Sequence, residues 1–99
     1  SLSLEYKLYN KNNKKRIKRL KEIGIIEDEL ANEITMAFNF LTNINLKSNL
    51  EKLDKNEKVD NYINPNNLNT MEKDLLKDSF KIINKFKKKL EFHFKLNYV

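Results

Sequence analysis

Apolar residues recur every three or four positions along most of this chain, which is the period of an amphipathic α-helix. The first such stretch predicts a short helix over residues 14–23, after a polar break at residues 10–13. Gly24 follows at the position where many helices end in a left-handed residue, because glycine has no Cβ to clash there. The apolar side that we expect this helix to bury consists of Ile17, Leu20 and Ile23.

A much longer helix is predicted from Glu27 or Asp28 to about Leu53. The acidic residues at its start complement the positive end of the helix dipole. At 100° per residue, one side of the helix carries a continuous apolar face, which we expect to pack against the rest of the domain. This face comprises Leu30, Ile34, Ala37, Phe38, Leu41 and Ile44.

The same helix carries a second apolar group, the leucine strip, formed by Leu46, Leu50 and Leu53. Helical geometry places Leu46 about 160° around the axis from Leu30, so the two groups face nearly opposite sides. Either the helix bends near residues 43–45, or its two halves pack against different neighbours. We expect the loop at residues 60–68 to cover the strip; the alternative covers are residues 1–9 and a second chain. The loop would use Tyr62, Ile63 and Leu68.

A polar loop over residues 54–67 leads to the last predicted helix, residues 70–94. Asn69 is the expected N-cap, and Glu72 three residues later completes a capping box. The predicted apolar face of this helix comprises Leu75, Leu76, Ser79, Phe80, Ile82, Ile83, Phe86, Leu90 and Phe94. A row of lysines lines the other side: Lys77, Lys81, Lys85 and Lys88.

The opening residues 1–9 fit both strand and helix spacing, and we interpret them as the tail of a helix because no partner strand is evident. The predicted fold is therefore all-α, an antiparallel helical bundle of three to four helices with short connections. With 99 residues the chain has room for a single helical domain, residues 1–99. A serine at position 1 suggests a piece of a longer protein.

The composition excludes several kinds of chemistry. The chain has no cysteine, one histidine and one glycine, which rules out a disulfide framework, a thiolate metal site and a glycine-rich phosphate loop. We predict no catalytic and no metal-ligating residue in it. No apolar run approaches the ~18 residues of a membrane-spanning helix, and the first residues do not resemble a signal peptide. We therefore expect a cytoplasmic protein with no membrane partner.

Positive charge is concentrated in one short segment, residues 14–21, which contains four lysines and two arginines. The formal net charge of the chain is +6. Such a cluster is either a phosphate or nucleic-acid contact or the solvated face of a lysine-rich helix. The segment has no interleaved aromatic residues for stacking on bases, so we favour the solvated face.

Three blocks of the chain, in this order and spacing, resemble the putative nucleotidyltransferase substrate-binding domain family: residues 16–26, residues 37–41 and residues 60–68. The first begins Arg-Ile-Lys-Arg-Leu, and the second is Ala-Phe-Asn-Phe-Leu. The third begins Asp-Asn-Tyr-Ile-Asn-Pro-Asn-Asn-Leu and continues along the last helix through Glu72, Leu76, Lys77, Phe80, Ile83, Phe86 and Leu90 to Phe94. Arg16 stands at a family position. Asn45, Asn49 and Lys87 replace an arginine and two glutamines that are usual in the family.

The resemblance implies that this chain is the C-terminal domain of a bacterial signal-transduction protein. In such proteins, cyclic-nucleotide-binding and CBS domains precede a nucleotidyltransferase domain similar to that of PII-uridylyltransferase. The expected partners are that preceding domain and an acceptor, either a protein or a nucleotide. No cofactor is expected here, whereas the catalytic domain would use magnesium and a nucleoside triphosphate. The candidate substrate-binding residues are Arg16, Arg19, Asp60 and Asn61.

The leading functional hypothesis is thus a non-catalytic substrate-binding domain that positions an acceptor for nucleotidyl transfer. The alternative is a structural or dimerising helical module, which would make the protein a homodimer. A nucleic-acid-binding module that uses the basic segment at residues 14–21 is the third hypothesis.

Overall fold

The computed structural model describes the backbone of residues 11–98 and the side chains of residues 14–93 and 95. Within that range the chain forms three α-helices, α1 (Lys11–Glu22), α2 (Asp28–Asp54) and α3 (Thr70–Tyr98). A 3₁₀ turn at Pro65–Asn67 precedes α3. The described residues contain no strand, so the prediction of an all-α fold is confirmed. The prediction for residues 1–9 lies outside the described residues.

The two long helices, α2 and α3, form the main interface of the bundle and run antiparallel. Towards the end of α2, Lys47 Nζ lies 3.2 Å from Glu72 Oε2 in the first turn of α3. In the middle of α2, Phe38 shares a cavity wall with Ile83 and Phe86, which lie further along α3. The later residues of α2 therefore lie beside the first turn of α3, and the earlier residues of α2 lie beside later residues of α3. This order shows that the two helices are antiparallel. Helix α1 packs across the first half of α2, and the bundle measures 50 × 25 × 22 Å.

The core comes from the apolar faces that the sequence predicts. All six apolar residues of the predicted α2 face are buried. On α3 the core residues are Leu76, Ser79, Ile83 and Phe86, while Leu75, which was also placed on this face, is exposed. Leu75 precedes Leu76 and so lies about 100° around the helix from it, at the edge of the interface. The largest fully buried side chains are Ile34, Phe38, Leu41 and Ile83.

Helix α1 ends in a Schellman motif, as Gly24 leads one to expect. The Gly24 N–H bonds to the Lys21 carbonyl at 3.1 Å, and the Ile25 N–H bonds to the Leu20 carbonyl at 3.0 Å. Gly24 has a φ of +81°, in the left-handed region. This turn redirects the chain so that Ile26 is buried in the core and Ile23 faces solvent, 54% exposed. The prediction that Ile23 is buried was therefore wrong.

The helix limits differ from the predicted ones at two places. Helix α1 begins at Lys11. Lys11, Asn12 and Asn13, which were predicted to form part of a polar break, are therefore helical. A polar residue within a helix costs only a few tenths of a kcal/mol relative to the best helix formers, too little to stop a helix that packs downstream. Helix α3 continues to Tyr98, four residues beyond the predicted end.

The start of α3 is closed by the predicted capping box. The Glu72 N–H donates to Asn69 Oδ1 at 2.8 Å, and the Asn69 N–H donates to Glu72 Oε1 at 3.0 Å. The hydrogen bond from the Asn69 N–H, and then the one from Lys47, lowers the pKa of Glu72 below its ordinary value. The capping box is confirmed.

The leucine strip does lie away from the core face, as its angle predicts, but the loop does not cover it. Leu46, Leu50 and Leu53 are all more than half exposed, and so is Tyr62. Ile63 is buried, but it lies beside Ile44 and Ser48, on the same side of α2 as the core face. The expected cover was therefore wrong, because the loop folds over the extension of the core face rather than over the opposite side.

None of the helices in the described part of the chain has the length and apolar character that crossing a membrane requires.

Candidate functional site

A cavity of about 190 Å³ opens where the three helices meet. We call it the three-helix cavity. Each helix supplies part of its wall, and the part from α2 is the buried ring of Phe38. The described residues that line it are Arg16, Ile17, Leu20, Phe38, Ile83, Phe86, Lys87 and Leu90.

The cavity exists because α1 is short and contacts the α2–α3 pair through few side chains. Ile17 is buried against the pair, and Leu20, almost one turn further along, is partly buried. On α3 the spacing of Ile83, Phe86 and Leu90 puts three apolar side chains on the face towards α1. These side chains line the space between the helices without filling it.

Among the described residues, the charged side chains that line the cavity are both cations. Arg16 comes from α1 and is exposed, while Lys87 comes from α3 and is partly buried. Arg19 lies on the same helix as Arg16, but it is exposed and is not part of the cavity wall. The recess thus combines an apolar lining with two cationic side chains among the described residues of its wall.

The other two predicted site residues, Asp60 and Asn61, lie in the loop after α2. Asp60 accepts hydrogen bonds from Lys52 Nζ and, at 2.9 Å, from the Tyr62 N–H. Its own N–H donates to Asn49 Oδ1 at 3.2 Å. Lys52 Nζ also donates to the Tyr62 carbonyl at 2.8 Å and lies 6.0 Å from the centre of the Tyr62 ring. We call these contacts the Asp60 network.

The Asp60 network fixes the loop to the last turns of α2. The hydrogen bond from Lys52, and then the one from the Tyr62 backbone, lowers the pKa of Asp60 below its ordinary value. Asp60 is therefore ionised at neutral pH, and its carboxylate and backbone N–H together have three partners, Lys52 and Asn49 on α2 and Tyr62 in the loop. Asn61 is partly buried beside it. These contacts hold the loop against α2.

One family model matches almost the whole chain. Residues 1–94 match the model of the putative nucleotidyltransferase substrate binding domain. The chain belongs to this family. No curated protein and no solved structure matches it.

In this substrate binding domain the four predicted site residues do not form one site. Phe38 of the three-helix cavity and Lys52 of the Asp60 network lie fourteen residues apart on α2, a distance of about 21 Å along the helix axis. Arg16 lines the three-helix cavity, whereas Asp60 and Asn61 lie at the Asp60 network. The structure places Arg19 at neither.

Sequence reasoning did not identify Lys87 as a lining residue of the cavity, or Lys52 and Asn49 as partners of Asp60. A signal for Lys87 was present, because it replaces a residue type usual in the family and follows Phe86 on the apolar face. Asn49 carried the same kind of signal. Lys52 carried none, since one lysine among 18 in the chain does not stand out.

Proposed function

We propose that this chain is a non-catalytic domain that binds an acceptor and positions it for a nucleotidyl transfer carried out by another domain. The observation that supports the proposal best is the three-helix cavity, a recess lined by apolar side chains and by Arg16 and Lys87. The family to which the chain belongs is named for substrate binding by a nucleotidyltransferase. A concave, mostly apolar recess is the usual form of a small-molecule site, which supports the proposal.

Positioning alone is a substantial contribution to such a reaction. Nucleotidyl transfer relies on alignment of the attacking group with the phosphorus atom and on stabilisation of negative charge. A domain that holds the acceptor can accelerate transfer without supplying a nucleophile or a metal ligand. In this proposal the catalytic domain precedes the chain in the same cytoplasmic protein and supplies magnesium and the nucleoside triphosphate. Its regulation by CBS and cyclic-nucleotide-binding domains in bacterial signalling is part of the same proposal.

The proposal is tested on the full-length protein in a nucleotidyl-transfer assay with a labelled nucleoside triphosphate. We expect removal of residues 11–98 to abolish labelling of the acceptor while slow hydrolysis of the nucleotide by the catalytic domain persists. The 99-residue chain alone should turn over no nucleotide. Turnover by the chain alone, lost on substitution of its own acidic residues, would show that the domain is catalytic and would refute the proposal.

A second candidate function, a dimerising or structural helical module, is favoured by the leucine strip. Leu46, Leu50 and Leu53 leave an apolar row on the outside of α2, and leucine in water is unfavourable at about 25 cal/mol per Å². If this function is correct, Leu50→Lys converts a dimer to a monomer in analytical ultracentrifugation. Met36→Lys is the matched control, because Met36 is also exposed on α2 and lies outside the strip.

Binding of nucleic acid through the basic residues of α1 remains the third hypothesis, and it predicts a strong dependence on salt. The described lysines and arginines of α1 are exposed. A fluorescence anisotropy titration with duplex and single-stranded DNA at two salt concentrations tests it.

A further inference from the structure

A second recess lies between α1 and the first half of α2, and we call it the lysine groove. Its volume is about 220 Å³. Positively charged side chains line it from α1, whereas those from α2 are uncharged, and no carboxylate is among the described lining residues. Besides Ile17, the described lining residues are Lys14, Lys18, Lys21, Ala31, Asn32 and Thr35.

The three lysines lie on one side of α1 because their spacing is that of a helix. Lys14, Lys18 and Lys21 together cover about 10 Å along the helix axis. All three side chains are exposed. Like charges at this spacing repel one another and destabilise a helix. An anion bound beside them would therefore stabilise α1.

Neighbouring groups do not neutralise the positive charge of the groove. None of the three lysines makes an ion pair or a hydrogen bond with a described residue. Outside the described side chains, the chain has one carboxylate side chain, Glu5, against two lysines, Lys7 and Lys11. One carboxylate cannot balance three ammonium groups, so the lysine groove keeps a net positive charge.

The wall from α2 adds a hydrogen-bond donor without adding negative charge. Asn32 is exposed, and the NH₂ group of its amide is a donor. The Thr35 hydroxyl donates to the Ala31 carbonyl at 2.9 Å, so its hydrogen is already in use. An anion in the groove would therefore meet three ammonium groups and one amide donor.

The number of ammonium groups indicates how much charge the ligand carries. A single phosphate group has ~1.5–2 negative charges at neutral pH, fewer than the three positive charges of the lysines. Two or three linked phosphates supply more charge in a small volume. The groove is smaller than the ~300 Å³ at which pockets for drug-sized ligands begin, and lysine binds phosphate as a point charge.

We propose that the lysine groove binds a polyphosphate group, two or three linked phosphates, of a small ligand. The ammonium groups of Lys14, Lys18 and Lys21 hold the phosphate oxygens, and the Asn32 amide donates to one of them. The polyphosphate is either inorganic or the phosphate chain of a nucleotide. This inference goes beyond the proposed function and does not depend on it, because binding in the groove requires no transfer reaction.

The test is isothermal titration calorimetry of the full 99-residue chain with defined probes. We expect inorganic triphosphate and pyrophosphate to bind at least about tenfold more tightly than orthophosphate, which carries less charge. Adenosine triphosphate distinguishes the two sources. If it binds more tightly than inorganic triphosphate, the ligand is a nucleotide, and if it binds equally or more weakly, the ligand is inorganic.

Charge-matched triple variants identify the site. Replacing Lys14, Lys18 and Lys21 together by glutamine should weaken triphosphate binding by at least about tenfold. The control replaces three other exposed lysines by glutamine and removes the same charge, so it should change affinity by less than about twofold. Glutamine and lysine have similar helix propensities, and circular dichroism verifies that both variants are folded. The control positions are Lys77, Lys81 and Lys85 of α3.

Four results would overturn the inference. They are no binding of triphosphate or pyrophosphate, equally tight binding of orthophosphate, equal losses in the two triple variants, and a preference for nucleic acid. The last is measured with a short DNA duplex. If the duplex binds at least about tenfold more tightly than triphosphate and the groove variant loses this binding, the lysine groove is a nucleic-acid contact instead.

Discussion

At the scale of single residues, Asn45 is a polar side chain enclosed by the helix bundle. It is only 5% exposed, and its Oδ1 accepts no hydrogen bond from any described residue. A buried acceptor without a partner costs about 1–3 kcal/mol, because it has lost its hydrogen bonds with water. Asn45 therefore reduces the stability of the domain.

Replacing this residue by an apolar one of similar size should stabilise the fold. We expect Asn45→Leu to raise the free energy of unfolding by about 1 kcal/mol, since the unpartnered oxygen is removed and apolar contact is added. Urea denaturation followed by circular dichroism measures the change. Asn43→Leu is the control, because Asn43 is exposed on the same helix and should have almost no effect. A destabilised Asn45→Leu variant would mean that the amide makes a necessary contact.

Phe86 is a core residue of α3 whose truncation should lower the stability of the fold. Its ring is 8% exposed and belongs to the core cluster, so Phe86→Ala should lower the free energy of unfolding by about 3–5 kcal/mol. Phe92→Ala, on the exposed side of the same helix, should cost less than about 0.5 kcal/mol. A loss below about 1 kcal/mol for Phe86→Ala would contradict the burial of this face.

At the scale of elements, the turn between α1 and α2 depends on the backbone of one residue. Gly24 has a φ of +81°, and a Cβ added there would meet no atom within 4 Å. The cost of Gly24→Ala therefore comes from backbone strain alone, about 1 kcal/mol by chemical or thermal denaturation. Gly24→Asn should cost less, because asparagine tolerates this conformation better than alanine. Equal losses would indicate that side-chain packing matters at this turn.

Two carboxylates anchor the connection between α2 and α3 and make it sensitive to acid. Asp60 is held by Lys52 and the Tyr62 N–H, Glu72 by the Asn69 N–H and Lys47, and both pKa values are lowered in the folded state. A group with a lowered folded pKa stabilises the fold above its unfolded pKa, and this contribution is lost as the pH falls through the folded pKa.

The free energy of unfolding should therefore decrease as the pH falls below about 4. We expect the double variant Asp60→Asn and Glu72→Gln to be less stable than the parent at pH 7 and to show a shallower loss of stability between about pH 5 and pH 2. Denaturation curves across this pH range provide the measurement. An unchanged slope in the double variant would show that other carboxylates dominate the acid response.

At the scale of the whole molecule, the three-helix cavity and the Asp60 network lie far apart in the bundle. The three-helix cavity lies where α1 crosses the long helices, and the Asp60 network lies at the far end of α2. The bundle is 50 Å long, and the two regions have no residue in common. Substitutions at such distant sites usually act independently.

This separation predicts that the loop can be loosened without affecting the cavity. We expect Asp60→Ala to increase hydrogen exchange at residues 57–63, because the anchor to Lys52 and Asn49 is lost. Its effect on stability should add to that of Arg16→Gln within about 0.5 kcal/mol. A larger departure from additivity would show coupling along α2.

Features that depend on neighbours in the chain could be predicted from the sequence. The capping box joins residues three apart, the Gly24 turn depends on one residue type, and the buried face of α2 follows from a fixed angle per residue. Each of these requires only local backbone geometry. The all-α bundle follows from the same local signals, because amphipathic helices with short connections have few ways to bury their apolar faces.

The tertiary structure decided what depends on partners distant in the chain. Sequence reasoning put Ile23 in the core, but the orientation of α2 after the turn brought Ile26 there instead. The loop buried Ile63 beside Ile44 and left the leucine strip exposed, because the Asp60 network fixes the path of the loop. The cavity likewise joins α1 to the second half of α3, residues that lie some 70 positions apart. The spacing of residues along the sequence cannot predict such a contact, because the contact depends on how whole helices pack. That packing is set by the shapes of many side chains together.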